Sequence, residues 1–534
     1  MTQLDIGMFV SAETGELDEQ KLTDLVTRYR IGSLFNTPFA GQAGSWSAEK
    51  WRRIIRRAQQ ISSGAGSKLP LLIGLDSVHG ANYVQGAVIF PQQIALAATF
   101  NPSLAARAGR VAARDSRAAA VPWLFSPILG LATQPLWPRV YETFGEDPVL
   151  ASRMGAALVK GIQASMDWDG IADDGEPLRS AACMKHFVGY SHPTSGHDRS
   201  PSRIPDQELL ELYLPPFRAA VEAGVSSAME SYNGLNGVPV ASSRRYLVDI
   251  LRGRLGFLGM LVTDYAEIAN LELYHGVSGS PEQSVYLAME DTSIDMSMVP
   301  LDASFAGTLL GLVKAGRVSE NRINRSVRRI LALKESLGLL DSPVPAASSP
   351  LLGKVGGEED QRDALQAARE SITLLKNGDM STRGGKQQQH QEEGVGVEKE
   401  EEGNGRGRSA LPLDRSETKK LLVVGPACNS LALQSGGWTK HWQASGFRAY
   451  ANEFGLSEGR TILSGIRDLL DGSLGALDGQ PHHQEQRDDA SRLSVEVGYG
   501  DRGEGGFPPV EVVYREGVRV DGANEQDRDS ALSE

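Results

Sequence analysis

The sequence is poor in cysteine, in basic residues and in long apolar runs, and each shortage excludes a class of protein. Two cysteines in 534 residues cannot form a disulfide framework. Lysine and arginine number 54 against 67 aspartates and glutamates, and a net charge of −13 argues against binding to nucleic-acid phosphates. No run approaches the ~18 apolar residues of a membrane span, and the opening MTQLDIGMFV shows no secretory signal pattern. We therefore expect no nucleic-acid partner and no membrane span.

From residue 31 to about 300, short apolar runs alternate with amphipathic stretches. The runs are nearly continuous in apolar residues, as in parallel strands that are covered on both faces, and the stretches between them have helical periodicity. The runs are IGSLF, LPLLIGLDSVHG, VPWLFSPILG, AACMKHFVGY, VSSAMESYNG and GMLVTDYAEI. This number of β/α units in ~300 residues favours a closed (β/α)8 TIM-type barrel over an open sheet, within the α/β class.

The sequence predicts two domains, of which the second is incomplete. We expect an N-terminally truncated barrel over 1–340, a Pro/Ser-rich linker over 341–358 and an incomplete α/β sandwich domain over 359–470. The sandwich domain is expected to open with one helix, DQRDALQAARESITLLKN. Residues 381–408 contain almost no large apolar side chains and are predicted to form a disordered insertion. The polar segment 471–534 is predicted to be a poorly structured end of the second domain.

Charged side chains end three of the predicted strands. Asp76 ends LLIGLD, Lys185 and His186 end AACMKH, and Asp264 ends GMLVTD. Because the C-terminal ends of parallel strands open onto one shared mouth, these groups are expected to meet there. A buried ion-pair network that stabilises the barrel is the alternative. The position at the same strand end each time favours a binding site, and Tyr232 nearby adds an aromatic face suited to a sugar ring.

A group of histidines raises the question of a metal site. His186, His192 and His197 lie close together, and Asp198 follows the last of them. Their spacing is not that of an i, i+4 pair on a helix, and the segment GYSHPTSGHDRSP reads as a polar loop. We therefore predict a loop that faces the substrate and no metal.

Seven motifs, taken in order, resemble those of one known family. They are GLDSVHGAN, RVYETFGEDP, KHFVGY, SYNGLNGVP, LVTDYAEI, ESITLLKN and GGWTKHWQ. Together they resemble glycoside hydrolase family 3, in particular its two-domain β-glucosidase branch, over roughly residues 1–470. The resemblance implies retaining hydrolysis of terminal non-reducing β-D-glucosyl residues from β-glucosides or β-glucans, through a covalent glycosyl-enzyme and without a cofactor.

The resemblance also implies roles for individual residues. Asp264 in VTDY stands where the family has its nucleophile, and an ionised carboxylate suits attack on an anomeric carbon. Asp76, Arg139, Lys185 and His186 match the family's contacts to sugar hydroxyls. A scaffold ion pair is the alternative for each of these four.

Two aromatic residues match positions around the sugar. Tyr232 matches a subsite tyrosine near the nucleophile, and an ordinary aromatic at the barrel mouth is the alternative. Trp438 in GGWT matches a second-domain tryptophan that flanks the leaving-group subsite, and a core tryptophan is the alternative. Tyr265 stands where many members have tryptophan, which is expected to reshape the leaving-group side.

The general acid/base residue does not appear where the family pattern places it. Two-domain members carry this glutamate in a VVGE-like context after a later strand, and the sequence beyond Val424 shows no apolar strand that ends in Gly-Glu. Polar contexts that do not match the pattern surround Glu453, Glu458, Glu485, Glu496 and Glu504. We therefore expect the acid/base residue to be absent from this chain and the chain to be a fragment or a truncated gene model.

Two alternatives to a β-glucosidase remain open at the level of sequence. The first is β-xylosidase or another exo-β-glycosidase specificity within the same family. The second, from another class, is a catalytically impaired, carbohydrate-binding homologue, which the missing acid favours and the intact Asp264 disfavours. The resemblance suggests an extracellular or lysosome/vacuole-like location, and the oligomeric state is unknown.

Overall fold

The computed structural model describes residues 1–11, 14–37, 46–164, 179–377, 411–413, 418, 420–439, 459–470 and 511–515. The chain divides into two compact units. The first comprises Met1–Ile372 and Ser435–Phe454, and the second comprises Thr373–Gln434 and Gly455–Glu534. The insertion predicted at 381–408 lies outside the described residues. The domain limits proposed from the sequence stay a prediction.

Eight parallel strands of the first unit form a closed ring. In chain order they are β1 Thr2–Asp5, β2 Ser33–Phe35, β3 Leu72–Leu75, β4 Trp123–Leu124, β5 Ala181–Phe187, β6 Ser227–Glu230, β7 Met260–Val262 and β8 Ser297–Met298. Neighbours in the chain are neighbours in the sheet, and β8 returns to β1 in the register Thr2↔Ser297. A parallel bridge between Val262 and Met296 joins β7 to the residue before β8. The predicted (β/α)8 barrel is thereby confirmed.

Helices surround the ring, and short capping signals set where they begin. The α-helices are α1 Glu19–Tyr29, α2 Ala48–Gly64, α3 Gln93–Ala98, α4 Pro102–Ala118, α5 Pro148–Gln163, α6 Asp206–Glu208, α7 Pro215–Glu222, α8 Glu267–Leu273, α9 Pro281–Glu290, α10 Ser304–Lys314, α11 Glu320–Ser336 and α12 Glu358–Glu370, and π-helical segments span Leu209–Tyr213 and Arg245–Arg254. The side chains of Asn101 and Asp147 accept main-chain N–H groups at the starts of α4 and α5, and proline follows each cap. This is the arrangement that stabilises a first helical turn.

The two faces of each strand are buried against different partners. Ala181 and Cys183 of β5 belong to the cluster inside the barrel, whereas Ala182 and Met184 pack into the cluster under the helices. Side chains of α11, among them Ile330, join the interior cluster. Because both faces are buried, the strands read as nearly continuous apolar runs rather than alternating ones.

One detail of the sequence interpretation is corrected, and the cysteines are located. The helix expected through DQRDALQAARESITLLKN ends with α12 at Glu370, and the β-branched Ile372 that follows is non-helical and largely exposed. Both cysteines are free, but only Cys183 is buried, and its burial raises the pKa of the thiol to about 12. Cys428 is half-buried.

The second unit contains a short parallel strand pair. Strand β9, Lys420–Val424, pairs with β10, Glu511–Arg515, and the helices are α13 Leu431–Ser435 and α14 Ile462–Leu470. Val423 of β9 and Leu463 of α14 form its buried cluster. The α/β sandwich predicted for this part stays a prediction. Within the described residues, no helix combines the length and apolarity of a membrane span.

Candidate active site

The C-terminal ends of β3, β5 and β7 bring four of the sequence-predicted residues together. Asp76 follows directly after β3, Lys185 and His186 lie in the second half of β5, and Asp264 comes two residues after β7. The ammonium group of Lys185 forms an ion pair with Oδ1 of Asp76. His186 Nε2 lies 3.4 Å from Oδ2 of Asp264. The charged strand ends therefore meet at one mouth of the barrel.

Asp264 combines deep burial with one open carboxylate oxygen. Its Oδ1 accepts the main-chain N–H of Tyr265 at 2.7 Å, and its buried Oδ2 has no hydrogen-bond partner among the residues that the structure describes. Burial raises the pKa of Asp264, and the charges of Lys185 and Arg139 oppose this rise. The two cations thus favour an ionised carboxylate whose second oxygen is available to an incoming group.

His186 contacts Asp264 as a neutral imidazole. Burial lowers the pKa of His186 well below its usual value, and the positive charges of Arg139 and Lys185 lower it further. The ring also packs edge-on against Tyr190, with 5.1 Å between centroids. A neutral ring in this position can donate or accept one hydrogen bond to a ligand hydroxyl without adding charge.

Arg139 is fixed by a carboxylate and a phenol. Its Nε and Nη2 each donate to Glu142 at 2.8 Å, and its Nη1 donates to the hydroxyl of Tyr190 at 3.2 Å. Tyr190 in turn donates to Oδ1 of Asp198 at 2.7 Å, and the indole of Trp137 donates to the same oxygen at 2.8 Å. The guanidinium is therefore held rigidly before any ligand arrives.

Tyr232 forms part of a small aromatic cluster at the same mouth. It is buried with Trp137 and Tyr190, and the guanidinium of Arg199 lies 4.0 Å from the centroid of its ring. Burial raises the pKa of Tyr232 well above its usual value, and the charge of Asp264 raises it further. Tyr232 therefore remains a neutral phenol beside the Asp264 carboxyl.

Trp438 lies over the two cations of the mouth and belongs to the same compact unit as the barrel. The ammonium of Lys185 is 5.2 Å from the centroid of its ring, and the guanidinium carbon of Arg139 is 6.0 Å away. These distances are typical of cation–π contacts. The half-buried indole thus presents an apolar surface next to the charged groups.

Side chains of the barrel fix the segment that carries Trp438. The Nδ1 of His79 is 2.7 Å from the carbonyl of Phe90, so Nδ1 bears the proton and Nε2 accepts from the hydroxyl of Thr439 at 2.8 Å. The amide of Gln92 donates to the carbonyls of Ser435 and Gly437 at 2.9 and 2.8 Å. Three hydrogen bonds therefore define the position of the tryptophan.

Sequence reasoning missed several residues that the structure places in this site. Glu142 lies three residues after Arg139 in the motif RVYE, and Tyr190 ends the motif KHFVGY, so motif membership was the available signal. Glu230 ends β6 as a buried glutamate, and an ionisable residue at a strand end is the same signal that singled out Asp264. Asp198 was considered only as a metal ligand.

The remaining candidates for a metal ligand or for the acid/base role are not among the mouth residues that the structure describes. His192 is hydrogen-bonded to the hydroxyl of Thr133 at 2.9 Å rather than to the mouth residues. Among the described residues, no cluster of three or more histidine, cysteine, aspartate or glutamate side chains could hold a metal ion. The five glutamates considered for the acid/base role lie outside the described residues.

Comparison with known proteins agrees with this arrangement. Residues 2–333 match "Glycosyl hydrolase family 3 N terminal domain". The lysosomal beta glucosidase of Dictyostelium discoideum is 39% identical over 513 residues, which cover 92% of this chain and 57% of that protein. A beta-xylosidase of Formosa agariphila is 30% identical over 385 residues, covering 70% of this chain and 48% of that protein.

A solved structure, the β-glucosidase of Listeria innocua in complex with glucose, superposes with a TM-score of 0.69 at 25% identity, covering all of this chain and 59% of the other. The chain spans about half the length of the curated relatives it matches. The matched family segment contains the whole eight-stranded ring and every strand-end residue described above. The chain belongs to glycosyl hydrolase family 3.

Proposed function

We propose that this chain hydrolyses terminal β-D-glucosyl residues with retention of configuration, and that Asp264 is its nucleophile. The observation that carries the proposal is the buried Asp264 carboxylate, whose Oδ2 has no hydrogen-bond partner among the described residues while Lys185 and Arg139 favour its charge. A buried carboxylate oxygen that accepts no hydrogen bond from the described residues suits covalent attack at a barrel mouth better than a structural role.

The proposed reaction has two steps. In the first, Oδ2 of Asp264 bonds to the anomeric carbon, the glycosidic C–O bond breaks, and the departing oxygen takes a proton from a general acid. In the second, water loses a proton to the same group and displaces the carboxylate. We infer that the acid/base residue is absent from the given residues, because no apolar strand beyond Val424 ends in Gly-Glu.

The proposed sugar contacts follow from the fixed charges. The Asp76–Lys185 pair and the guanidinium of Arg139 offer acceptor and donor groups that are already desolvated and oriented, which suits sugar hydroxyls. His186 adds a neutral ring nitrogen near the nucleophile. The rings of Tyr232 and Trp438 provide apolar faces for the C–H groups of the sugar and of the leaving group.

Covalent trapping tests the proposal directly. A 2-deoxy-2-fluoro-β-glucoside with a dinitrophenyl leaving group should label the protein once, and peptide mass spectrometry should place the label on Asp264. The Asp264→Asn variant is the matched control and should remain unlabelled. Saturable glucose binding without a label on the wild type would instead favour the carbohydrate-binding alternative.

A β-xylosidase is the second candidate, and the similarity to the Formosa agariphila protein supports it. The higher identity to the Dictyostelium discoideum protein favours a glucoside. The ratio of kcat/KM for the 4-nitrophenyl β-glucoside and β-xyloside distinguishes the two, because the substrates differ only in one hydroxymethyl group. A ratio below one would exclude the β-glucosidase proposal.

The proposed location is extracellular or lysosome-like, and the name of the Dictyostelium discoideum relative supports it. Fractionation of the source cells with an antibody against the chain is the test. Recovery in the cytosolic fraction alone would overturn the proposal.

A further inference from the structure

The carboxyl of Glu230 fixes the main chain that carries the proposed nucleophile. Glu230 is the last residue of β6, and its side chain is fully buried. Its Oε1 accepts the main-chain N–H of Asp264 at 3.0 Å. The Asp264 carboxyl is held from the other side by the N–H of Tyr265. The direction in which Asp264 points therefore depends on a backbone position that Glu230 determines.

Glu230 differs from the other buried glutamates around the site because it has no basic partner among the described residues. Glu142 is paired with Arg139, and Glu267 lies 2.6 Å from the ring nitrogen of His275. Across the part of the chain that the structure describes, Glu230 forms no ion pair, and its buried Oε2 has no hydrogen-bond partner. Burying a carboxylate without a cation costs far more free energy than burying a protonated carboxyl.

Two further carboxyl groups face Glu230 from neighbouring elements. Asp264 lies just after β7, and Glu267 is the first residue of α8, where it also accepts from Asn270. Burial raises the pKa of Glu230 well above its usual value, and the charges of Glu267 and Asp264 raise it further. His275 stabilises the charge on Glu267. Ionisation of all three adjacent buried carboxyls is strongly disfavoured, and within the described part of the chain Glu230 is the one without a cation.

We propose that Glu230 is a positioning residue for the glycosylation step and that it carries a proton while Asp264 is ionised. The inference rests on the proposed function, because it assigns Asp264 the role of nucleophile. A protonated Glu230 keeps an acceptor oxygen for the Asp264 amide without placing another negative charge beside the attacking carboxylate. The cations Lys185 and Arg139 then act on Asp264 without competition from Glu230.

Two variants separate the positioning role from the protonation state. Glu230→Gln keeps the size, the acceptor oxygen and the neutral charge, so we expect kcat close to that of the wild type and an unchanged acid limb of the kcat/KM profile, which reports protonation of Asp264. Glu230→Met keeps the volume but removes the acceptor. We expect kcat for an activated aryl β-glucoside to fall by ~10–100-fold, because small displacements of a reacting group cost about that much, with an unchanged Kd for glucose.

Asp360→Asn provides the matched control. Asp360 is another buried carboxyl, held by Arg114 away from the mouth residues, so its loss should lower the melting temperature and leave kcat and the acid limb unchanged. This control shows what the removal of a buried carboxylate does to stability alone.

Each outcome decides one part of the inference. If the acid limb of Glu230→Gln moves to lower pH, Glu230 is a carboxylate in the wild type and the protonated state is wrong. If Glu230→Met turns over like the wild type, the positioning role is wrong. If Glu230→Met does not fold, the Glu230→Gln variant alone tests the inference. A tenfold loss of kcat in Glu230→Gln with unchanged glucose binding would then overturn it. If 2-fluoro glucosides do not label the wild type on Asp264, the proposed function and this inference fail together. If the wild type is labelled on Asp264, failure of the variant tests overturns this inference alone.

Discussion

Replacing Asp264 by asparagine is expected to abolish turnover while leaving the site intact. In the wild type, Oδ1 accepts the N–H of Tyr265 at 2.7 Å, and the amide oxygen of the variant can still accept this hydrogen bond. The NH2 group replaces Oδ2, lies 3.4 Å from Nε2 of His186, and can donate to that neutral ring nitrogen. Since Asp76 and Lys185 pair with each other rather than with Asp264, the sugar contacts are expected to survive.

The expected loss is large because an amide cannot form the glycosyl ester. We expect kcat for 4-nitrophenyl β-glucoside to fall by ~10⁴-fold or more, which corresponds to about 5.5 kcal/mol of transition-state stabilisation. The melting temperature and the Kd for glucose, measured by calorimetry, should change little. Retention of more than about a tenth of the wild-type rate, a cost of only ~1.4 kcal/mol, would refute the assignment of the nucleophile.

Chemical rescue adds a stereochemical check. The Asp264→Ala variant leaves space for azide on the face of the sugar that the carboxylate would attack. With an activated aryl β-glucoside, azide should restore turnover and yield the α-glucosyl azide, because a single displacement inverts the anomeric carbon. A β-azide product would mean that another group still forms the covalent intermediate.

Three further predictions concern the missing general acid, the insertion 381–408 and the buried Lys334. General acid assistance is worth ~10²–10⁴-fold and matters most for poor leaving groups. The chain as given should therefore cleave dinitrophenyl β-glucoside but hardly cellobiose, and azide should accelerate turnover and yield β-glucosyl azide. Similar rates on both substrates without azide would show that the chain contains an acid. Deleting 381–408 should leave the melting temperature and kcat/KM unchanged, because a segment with few large apolar residues buries little, and a clear loss of stability would contradict this. Burial lowers the pKa of Lys334 to about 8 from 10.5, so the folded state binds fewer protons than the unfolded state between these values and the free energy of unfolding should rise with pH there. This rise in the free energy of unfolding amounts to about 3 kcal/mol, and the Lys334→Met variant should lack it. Denaturant titrations of both proteins at pH 7 and pH 10 measure the difference. An equal change with pH in the two proteins would contradict the lowered pKa of Lys334.

The barrel and the charged ends of its strands could be predicted from local pattern alone. A strand buried on both faces must be apolar at nearly every position, so AACM in β5 is informative without knowledge of its neighbours. A charge that ends such a run is conspicuous for the same reason, which singled out Asp76, Lys185 and Asp264. The same pattern failed at Ile372, where an amphipathic repeat continues beyond the last helical turn at Glu370.

Pairings across the fold depended on the tertiary structure. His79 and Thr439 are separated by 360 residues in the chain, yet one hydrogen bond between them helps to position Trp438. No local periodicity encodes that contact, because it arises only when the closed ring and the later segment are both in place.

The protonation states of the two buried carboxyls at the mouth also depend on the tertiary structure. Glu230 ends β6 and Asp264 follows β7 by two residues, and the sequence by itself determines that each carboxyl is carried to the barrel mouth. Burial penalises both, but Lys185 and Arg139 act on Asp264, whereas the neighbours of Glu230 are the carboxyls of Asp264 and Glu267. Ionisation of a buried carboxyl depends on charges a few ångströms away in space, and only the closed barrel decides which those are.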